Sequence, residues 1–164
     1  MPITNDLELT AMMSTIASDV IKKVSKGVLS TLQEHIWEDT YGKLPNAWYY
    51  DYSGIPTFQF KNAFQFTEVE QKINEIVSEL FYNWQSMDYD LEKFLHGSPE
   101  TGDMREKLAD ILNVSGISGF SNKNREPYWD NFIGDMFDRG GLEKLFDVYM
   151  KREFGKHGIA IIKQ

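Results

Sequence analysis

Histidines and carboxylates are the residues of this chain that could perform acid–base, nucleophilic or metal chemistry. His35, His96 and His157 lie far apart, and none of their spacings is the i, i+4 spacing by which a helix presents two imidazoles to one metal ion. The string HGS at residues 96–98 is better explained by turn formation than by a base beside its nucleophile. The sequence therefore predicts no metal ion, no cofactor and no catalytic residue.

Several acidic residues lie near aromatic residues, and carboxylates are the groups with which many hydrolases act. A glycosidase or a metal-dependent nuclease needs two or more carboxylates that converge in one cleft, and the sequence does not show such convergence. The glycine-containing loop SGISGF at residues 115–120 is not followed by the Lys and the Ser or Thr of a phosphate-binding loop. We therefore expect a protein without enzymatic activity. The acidic residues concerned are Glu34, Glu38, Asp39, Asp51, Asp88, Asp90, Asp103 and Asp130.

Residues 5–41 are predicted to form one long amphipathic helix. Apolar residues recur at a spacing of three or four, which places them on a single inward stripe. Gly27 costs about 1 kcal/mol relative to Ala within a helix, so a bend or a break is expected there, and Gly42 and Pro45 end the helix. The stripe consists of Leu9, Met13, Ile16, Val20, Val24, Val28, Leu32 and Ile36.

An aromatic loop and a strand are predicted for the residues that follow, from 46 to 66. Trp48, Tyr50 and Tyr52 lie among Pro and Gly residues, and Trp and Tyr are the side chains that protein interfaces prefer as anchors. We therefore predict these three as interface residues. The next aromatic residues alternate with polar ones, as in a strand with one inner face, and they are Phe58, Phe60, Phe64 and Phe66.

Residues 67–84 fit two kinds of structure. Thr67 and Glu70 match a capping box at the start of a helix, and the apolar spacing that follows favours a helix. Ile73, Val77 and Phe81 could instead share one side of a strand returning from a hairpin, with Asn74 near the turn. The residues themselves leave both interpretations open, although periodicity alone favours the helix.

The last part of the chain, residues 85–164, is predicted to contain a loop followed by helices. A short helix spans residues 104–112, and Pro127 begins another that reaches residue 137. A last helix covers residues 142–154, and its inward residues are Leu142, Leu145, Phe146 and Tyr149. A chain of 164 residues suits one domain of residues 1–164. This domain comprises the helix at 5–41, the aromatic loop and the strand-forming segment at 46–84, and the loop and helices at 85–164. Together these parts define an α+β fold.

The charge balance argues against nucleic acid and membranes as binding partners. The chain has 17 basic and 25 acidic residues, a formal net charge of −8, which repels phosphate backbones and anionic lipid headgroups. The basic residues near 22–26 and 151–156 are interpreted as solvated helix faces. The absence of cysteine suits a reducing cytoplasm, and the first residues have the pattern of neither a signal peptide nor a membrane span.

The order of these features resembles the small structural proteins that join head to tail in long-tailed bacteriophages, the tail completion or head–tail joining proteins. In that family a long amphipathic helix precedes a Thr-Gly-x-Leu-x-x-Ser-Ile segment that enters a strand. Here Thr57, Phe60, Ala63 and Phe64 stand at the Thr, Leu, Ser and Ile positions, and Phe58 replaces the glycine. The strings HGS, MREKLADILN, SGISGF and YWDNFIGDMF resemble, in that order, phage and prophage proteins of Gram-positive hosts, so the resemblance covers residues 9–154.

This resemblance implies an antiparallel hairpin at residues 57–84 and a virion structural protein without catalytic activity, assembled in the cytoplasm of the bacterial host. It implies a homo-oligomeric ring at the neck or tail, around the channel through which DNA leaves, with other phage neck or tail proteins as partners. DNA passes nearby in such a ring without sequence-specific binding, and no membrane is involved. The alternative is an acidic phage-encoded inhibitor that binds a host nucleic-acid-processing protein, which the net charge favours.

Overall fold

The computed structural model describes residues 6–40, 59–73, 75–87, 104–113 and 127–162. They form a mostly helical chain with a long N-terminal helix, short antiparallel strands and C-terminal helices, so the predicted α+β fold is confirmed. The elements in chain order are α1 (Asp6–His35), continued by a π-helical turn (Ile36–Thr40); α2 (Gln59–Asn62); β1 (Phe64–Phe66); β2 (Glu70–Gln71); β3 (Ile76–Val77); β4 (Leu80–Tyr82); a 3-10 turn (Trp84–Ser86); α3 (Met104–Asn113); α4 (Tyr128–Ile133), continued by a π-helical turn (Gly134–Asp138); and α5 (Gly141–Lys156).

The strands form a hairpin, as the family resemblance implies, and the helix that periodicity favours at residues 67–84 is wrong. β2 pairs with β3 antiparallel, with Glu70 opposite Val77 and Gln71 opposite Ile76, while β1 pairs with β4. Thr67 does not cap a helix. Its hydroxyl accepts a hydrogen bond from the Glu79 N–H at 2.9 Å, and its own N–H donates to the Glu79 carbonyl at 2.9 Å. These hydrogen bonds join residues twelve apart in the sequence, so the local spacing of apolar residues could not predict them.

The strand predicted around Phe60 is also wrong, because α2 is a single helical turn. The side chains of Phe60 and Phe64 still meet, with ring centroids 5.5 Å apart in an edge-to-face arrangement. A separation of four residues places two side chains on one face of a helical turn and equally on one face of a strand. The aromatic spacing therefore predicts the burial of these residues but not their backbone conformation. Phe58 lies outside the described residues.

Contacts along the chain divide it into two compact units. The first unit consists of the described residues within 1–29, 66–80 and 135–164, and the second of those within 30–65 and 81–134. The single-domain prediction for residues 1–164 stays a prediction.

The core of the first unit is built by α1 and α5. Ile16, Val20 and Val24 of α1 are buried together with Phe154 of α5, and each such side chain contributes about 1.5–3 kcal/mol on burial. The predicted inner stripe of α1 is correct here but wrong at Leu9 and Met13, which are 42% and 39% exposed. The residues packed around this core are Met12, Val28, Leu142, Leu145, Phe146, Tyr149, Met150, Ile159 and Ile161.

Gly27 does not interrupt α1, which is one helix from Asp6 to His35, so the predicted break is wrong. A Cβ atom at this position would lie 3.0 Å and 3.1 Å from the two methyl carbons of Leu145. The glycine therefore creates the space that Leu145 of α5 occupies. The helix tolerates the intrinsic cost of Gly because it gains packing in return.

The core of the second unit is an aromatic cluster. Phe60 makes edge-to-face contacts with Phe64, Tyr82 and Tyr128, with ring centroids 5.5–5.9 Å apart. Leu32 and Ile36 from the end of α1 are fully buried in the same unit. Phe60, Phe64 and Tyr128 are buried, and aromatic pairs in such geometries add about 0.5–1.5 kcal/mol beyond burial.

Helix α4 begins immediately after Pro127, as predicted, and it is capped by another helix. The Trp129 N–H donates a hydrogen bond to the side-chain oxygen of Asn113 at 2.8 Å, and the Tyr128 hydroxyl donates to the Ala109 carbonyl at 3.2 Å. Pro127 itself provides no side-chain cap. The last residue of α3 thus satisfies a backbone donor that the start of α4 leaves free.

Candidate functional site

The predicted interface residues Trp48, Tyr50 and Tyr52 lie outside the described residues, and so does His96 of the HGS string. Their role as interface anchors stays a prediction. The candidate sites that can be described lie on α1, on the hairpin and at the ends of the helices.

The hairpin tip is the most exposed apolar site in the described part of the chain. Ile73 is 99% exposed and lies in the turn closed by a hydrogen bond from the Lys72 N–H to the Glu75 carbonyl at 2.8 Å. Both interpretations of the sequence placed Ile73 on a covered face, and both are wrong for this residue. The hairpin interpretation placed the turn near Asn74, which itself lies outside the described residues. It did not place Ile73 in that turn, because isoleucine is not a turn-forming residue.

Further large apolar side chains are exposed on the helices and their π-helical turns, on β4 and in the C-terminal segment after α5. They do not form part of the buried clusters described above, and apolar surface of this kind marks a binding site when it is contiguous. They are Leu7, Trp37, Phe81, Phe137, Val148 and Ile162.

A groove of about 500 Å³ lies in the first unit between α1 and the base of the hairpin. We call it the lysine groove, because Lys22 and Lys26 stand one helical turn apart along it. Neither lysine has an ion-pair partner among the residues that the structure describes. The sequence predicted that these lysines lie on a solvated face, which agrees with their exposure. It did not predict the cavity beside them. Its apolar lining comes from Leu29, Phe66 and Val69, and Glu68 is the one acid among the lining residues.

The hairpin beside this groove is acidic. Residues 66–80 contain four glutamates and one lysine, so their formal charge is −3. Glu75 pairs with Lys72 at 3.5 Å. Glu68, Glu70 and Glu79 have no ion-pair partner within the described ranges. Like charges on one short hairpin repel one another unless an opposite charge is supplied from elsewhere.

Glu153 forms the most strongly perturbed carboxylate site of the first unit. It is 4% exposed, and its oxygens lie 2.6 Å from the Lys156 ammonium and 2.5 Å from that of Lys23. The hydrogen bonds from Lys156 and then Lys23 lower the pKa of Glu153 to about 2, and the bond to Glu153 raises the pKa of Lys156. The sequence placed both lysines on solvated faces, whereas here they neutralise a buried charge between α1 and α5.

His35 and Asp39 form a pair in the second unit. Nδ1 of His35 lies 3.1 Å from Oδ2 of Asp39, and the Asn131 side-chain N–H donates to the same oxygen at 3.1 Å. Asp39 is 7% exposed, and the His35 ring contacts the edge of Phe132. A carboxylate that orients an imidazole also occurs in hydrolytic triads. Here the carboxylate of Asp39 joins the π-helical turn after α1 to Asn131 of α4.

Three further properties of the described residues bear on function. These residues contain no group of three or more His, Asp or Glu side chains that could hold a metal ion. Burial raises the pKa of the Tyr128 phenol well above its usual range, so this hydroxyl stays neutral and acts as a hydrogen-bond donor. No helix in the described part of the chain is long and apolar enough to cross a membrane.

No family model, no curated protein and no solved structure matches this chain.

Proposed function

We propose that this chain is a non-enzymatic structural subunit of the head–tail junction of a long-tailed bacteriophage, a neck or tail completion protein that forms a ring around the DNA channel. The order of sequence features that resembles this family supports the proposal, and so does the hairpin found where the family has one.

The observation that carries the proposal is the uncovered Ile73 at the tip of an otherwise acidic hairpin. An isoleucine removed from water contributes about 1.5–3 kcal/mol, and this side chain obtains none of that within its own chain. A structural subunit obtains it on assembly, when a neighbour covers the tip.

The described titratable groups support a structural role as well. Glu153, Asp39 and Tyr128 are the buried ionisable residues discussed above, and each has hydrogen-bond partners that join one helix to another. A general acid or base would instead face a cleft that admits substrate.

Electron microscopy of phage lysates tests the proposal. The gene is deleted from the phage or prophage that encodes it, and particles are compared with those from cells that carry the gene on a plasmid. We expect DNA-filled heads and separate tails without the chain, and joined particles when the plasmid restores it. Joined, infectious particles at the wild-type number in the deletion strain would overturn the proposal.

The acidic inhibitor is the second candidate, because three hairpin carboxylates have no partner among the described residues and the net charge is −8. Mass spectrometry of purified virions separates the two functions. A neck subunit is present at a constant copy number per particle. An inhibitor is absent from particles and, as a purified monomer, lowers the activity of a host nuclease or polymerase.

A further inference from the structure

The hairpin and the lysine groove have complementary surfaces. The hairpin presents Ile73 at its tip and unpaired carboxylates, including Glu70, along its strands. The groove presents apolar side chains beside Lys22 and Lys26, neither of which has a described ion-pair partner. With two lysines and Glu68, the charged lining of the groove is net positive by one.

The two surfaces belong to the same chain but do not satisfy each other within it. Ile73 is almost fully solvent-exposed, so it does not enter the groove of its own chain. The groove holds about 500 Å³, within the range of about 300–1,000 Å³ that is typical of pockets for small molecules, so it has room for an isoleucine side chain. The tip carries Ile73 beside the Lys72–Glu75 ion pair, and the unpaired carboxylate of Glu70 on its strand is opposite in charge to the lysines that border the groove.

We propose that the hairpin tip of one copy inserts into the lysine groove of a second copy. Ile73 then packs against Leu29 and Phe66, and the hairpin carboxylates face Lys22 and Lys26. Two different patches meet in such a contact, so it is heterologous, and its repetition yields a ring or a filament. This inference rests on the proposed function, because it specifies the contact by which the ring closes.

Disulfide trapping tests the contact, and the natural chain contains no cysteine that would interfere. The double variant Ile73→Cys with Lys26→Cys places one thiol on each of the two surfaces, both at exposed positions. After mild oxidation of the purified full chain, we expect a ladder of covalent oligomers beyond the dimer on a non-reducing gel. Reduction should return the ladder to the monomer.

The matched control moves the second thiol out of the groove. Ile73→Cys with Lys144→Cys removes the same charge from an exposed position on α5, and we expect no ladder beyond the dimer that two tip thiols can form. The circular dichroism of both variants should equal that of the wild type, because the substituted side chains are exposed.

Four outcomes overturn the inference. They are no covalent ladder, equal ladders from both double variants, a disulfide within one chain, and products that stop at the dimer in the Lys26→Cys variant. A dimer alone would mean either a reciprocal contact with twofold symmetry or a bond between two tip thiols, and neither is the proposed contact. The particles of the deletion strain test the proposed function separately from this contact. If heads and tails are separate in that strain but no ladder forms, the proposed function stands and this contact is rejected.

Discussion

At the scale of single residues, the buried carboxylate of Glu153 shows how a charge is retained inside this protein. Two ammonium groups within 2.6 Å stabilise its ionised form, and removal of one partner from a buried pair leaves an uncompensated charge. The energy of this site therefore depends on pH in a direction that the structure determines.

We expect Glu153→Gln to destabilise the protein near neutral pH, and the difference from the wild type to shrink in acid. Because the folded pKa of about 2 lies below the ordinary value of 4.5, the stabilisation is complete above 4.5 and disappears as pH falls toward 2. Urea unfolding of both proteins between pH 7 and pH 2 measures this difference. Glu106→Gln, at an exposed position of α3, is the matched control and should remain near wild type throughout. A Glu153→Gln deficit that is constant with pH would contradict the ionic role.

Asn113 offers a second test at this scale, because its side chain caps a helix other than its own. Asn113→Ala removes the oxygen that accepts the Trp129 N–H, and loss of a helix cap costs about 0.5–2 kcal/mol. We expect a decrease of about 1 kcal/mol in the free energy of unfolding, measured by chemical denaturation. Asn113→Asp retains the acceptor and should recover most of the loss. Equal destabilisation by both substitutions would assign the effect to packing instead.

At the scale of elements, the approach of α5 to α1 is set by the absence of a side chain at residue 27. Alanine would favour the helix by about 1 kcal/mol, but its Cβ would lie 3.0 Å from Leu145. The two effects oppose each other, and the double substitution separates them.

In a Leu145→Ala background, we expect Gly27→Ala to stabilise the protein by about 1 kcal/mol, because the crowding methyl groups are gone. In the wild-type background the same substitution should stabilise the protein by clearly less than this, or should destabilise it. Leu145→Ala alone should cost roughly 2 kcal/mol, at the low end for a partly buried leucine. A double-mutant cycle by urea unfolding measures the coupling, and additive effects would show that Leu145 does not limit residue 27.

At the scale of the whole molecule, the proposed contact between copies depends on opposite charges at a solvent-accessible surface. Salt screens such charges, since the Debye length falls from about 10 Å at 0.1 M to about 3 Å at 1 M ionic strength. The apolar insertion of Ile73 does not weaken in the same way.

We therefore expect assembly of the purified chain to weaken as salt rises over this range, with Ile73→Ser reducing assembly at every salt concentration. Light scattering on a size-exclusion column measures the oligomer mass. Lys22→Gln with Lys26→Gln should weaken assembly at low salt and reduce its dependence on salt. A salt response that this double variant leaves unchanged would place the charged contact elsewhere.

The sequence predicts the features that depend on local periodicity and composition. The stripe from Ile16 to Ile36, the start of α4 after Pro127, and the inward residues of α5 all follow from helical spacing. These are correct because the buried side of a long helix recurs every three or four residues, whatever it packs against. The resemblance, and not the spacing, identified the hairpin.

Tertiary structure alone decided the features that depend on residues distant in the sequence. Thr67 meets Glu79, Gly27 makes room for Leu145, and Glu153 is paired with Lys23. Each of these contacts joins groups that are distant in the sequence, so no local pattern encodes it. The exposure of Ile73 and the groove beside Lys22 belong to the same class, because a surface is defined by what the folded chain leaves uncovered.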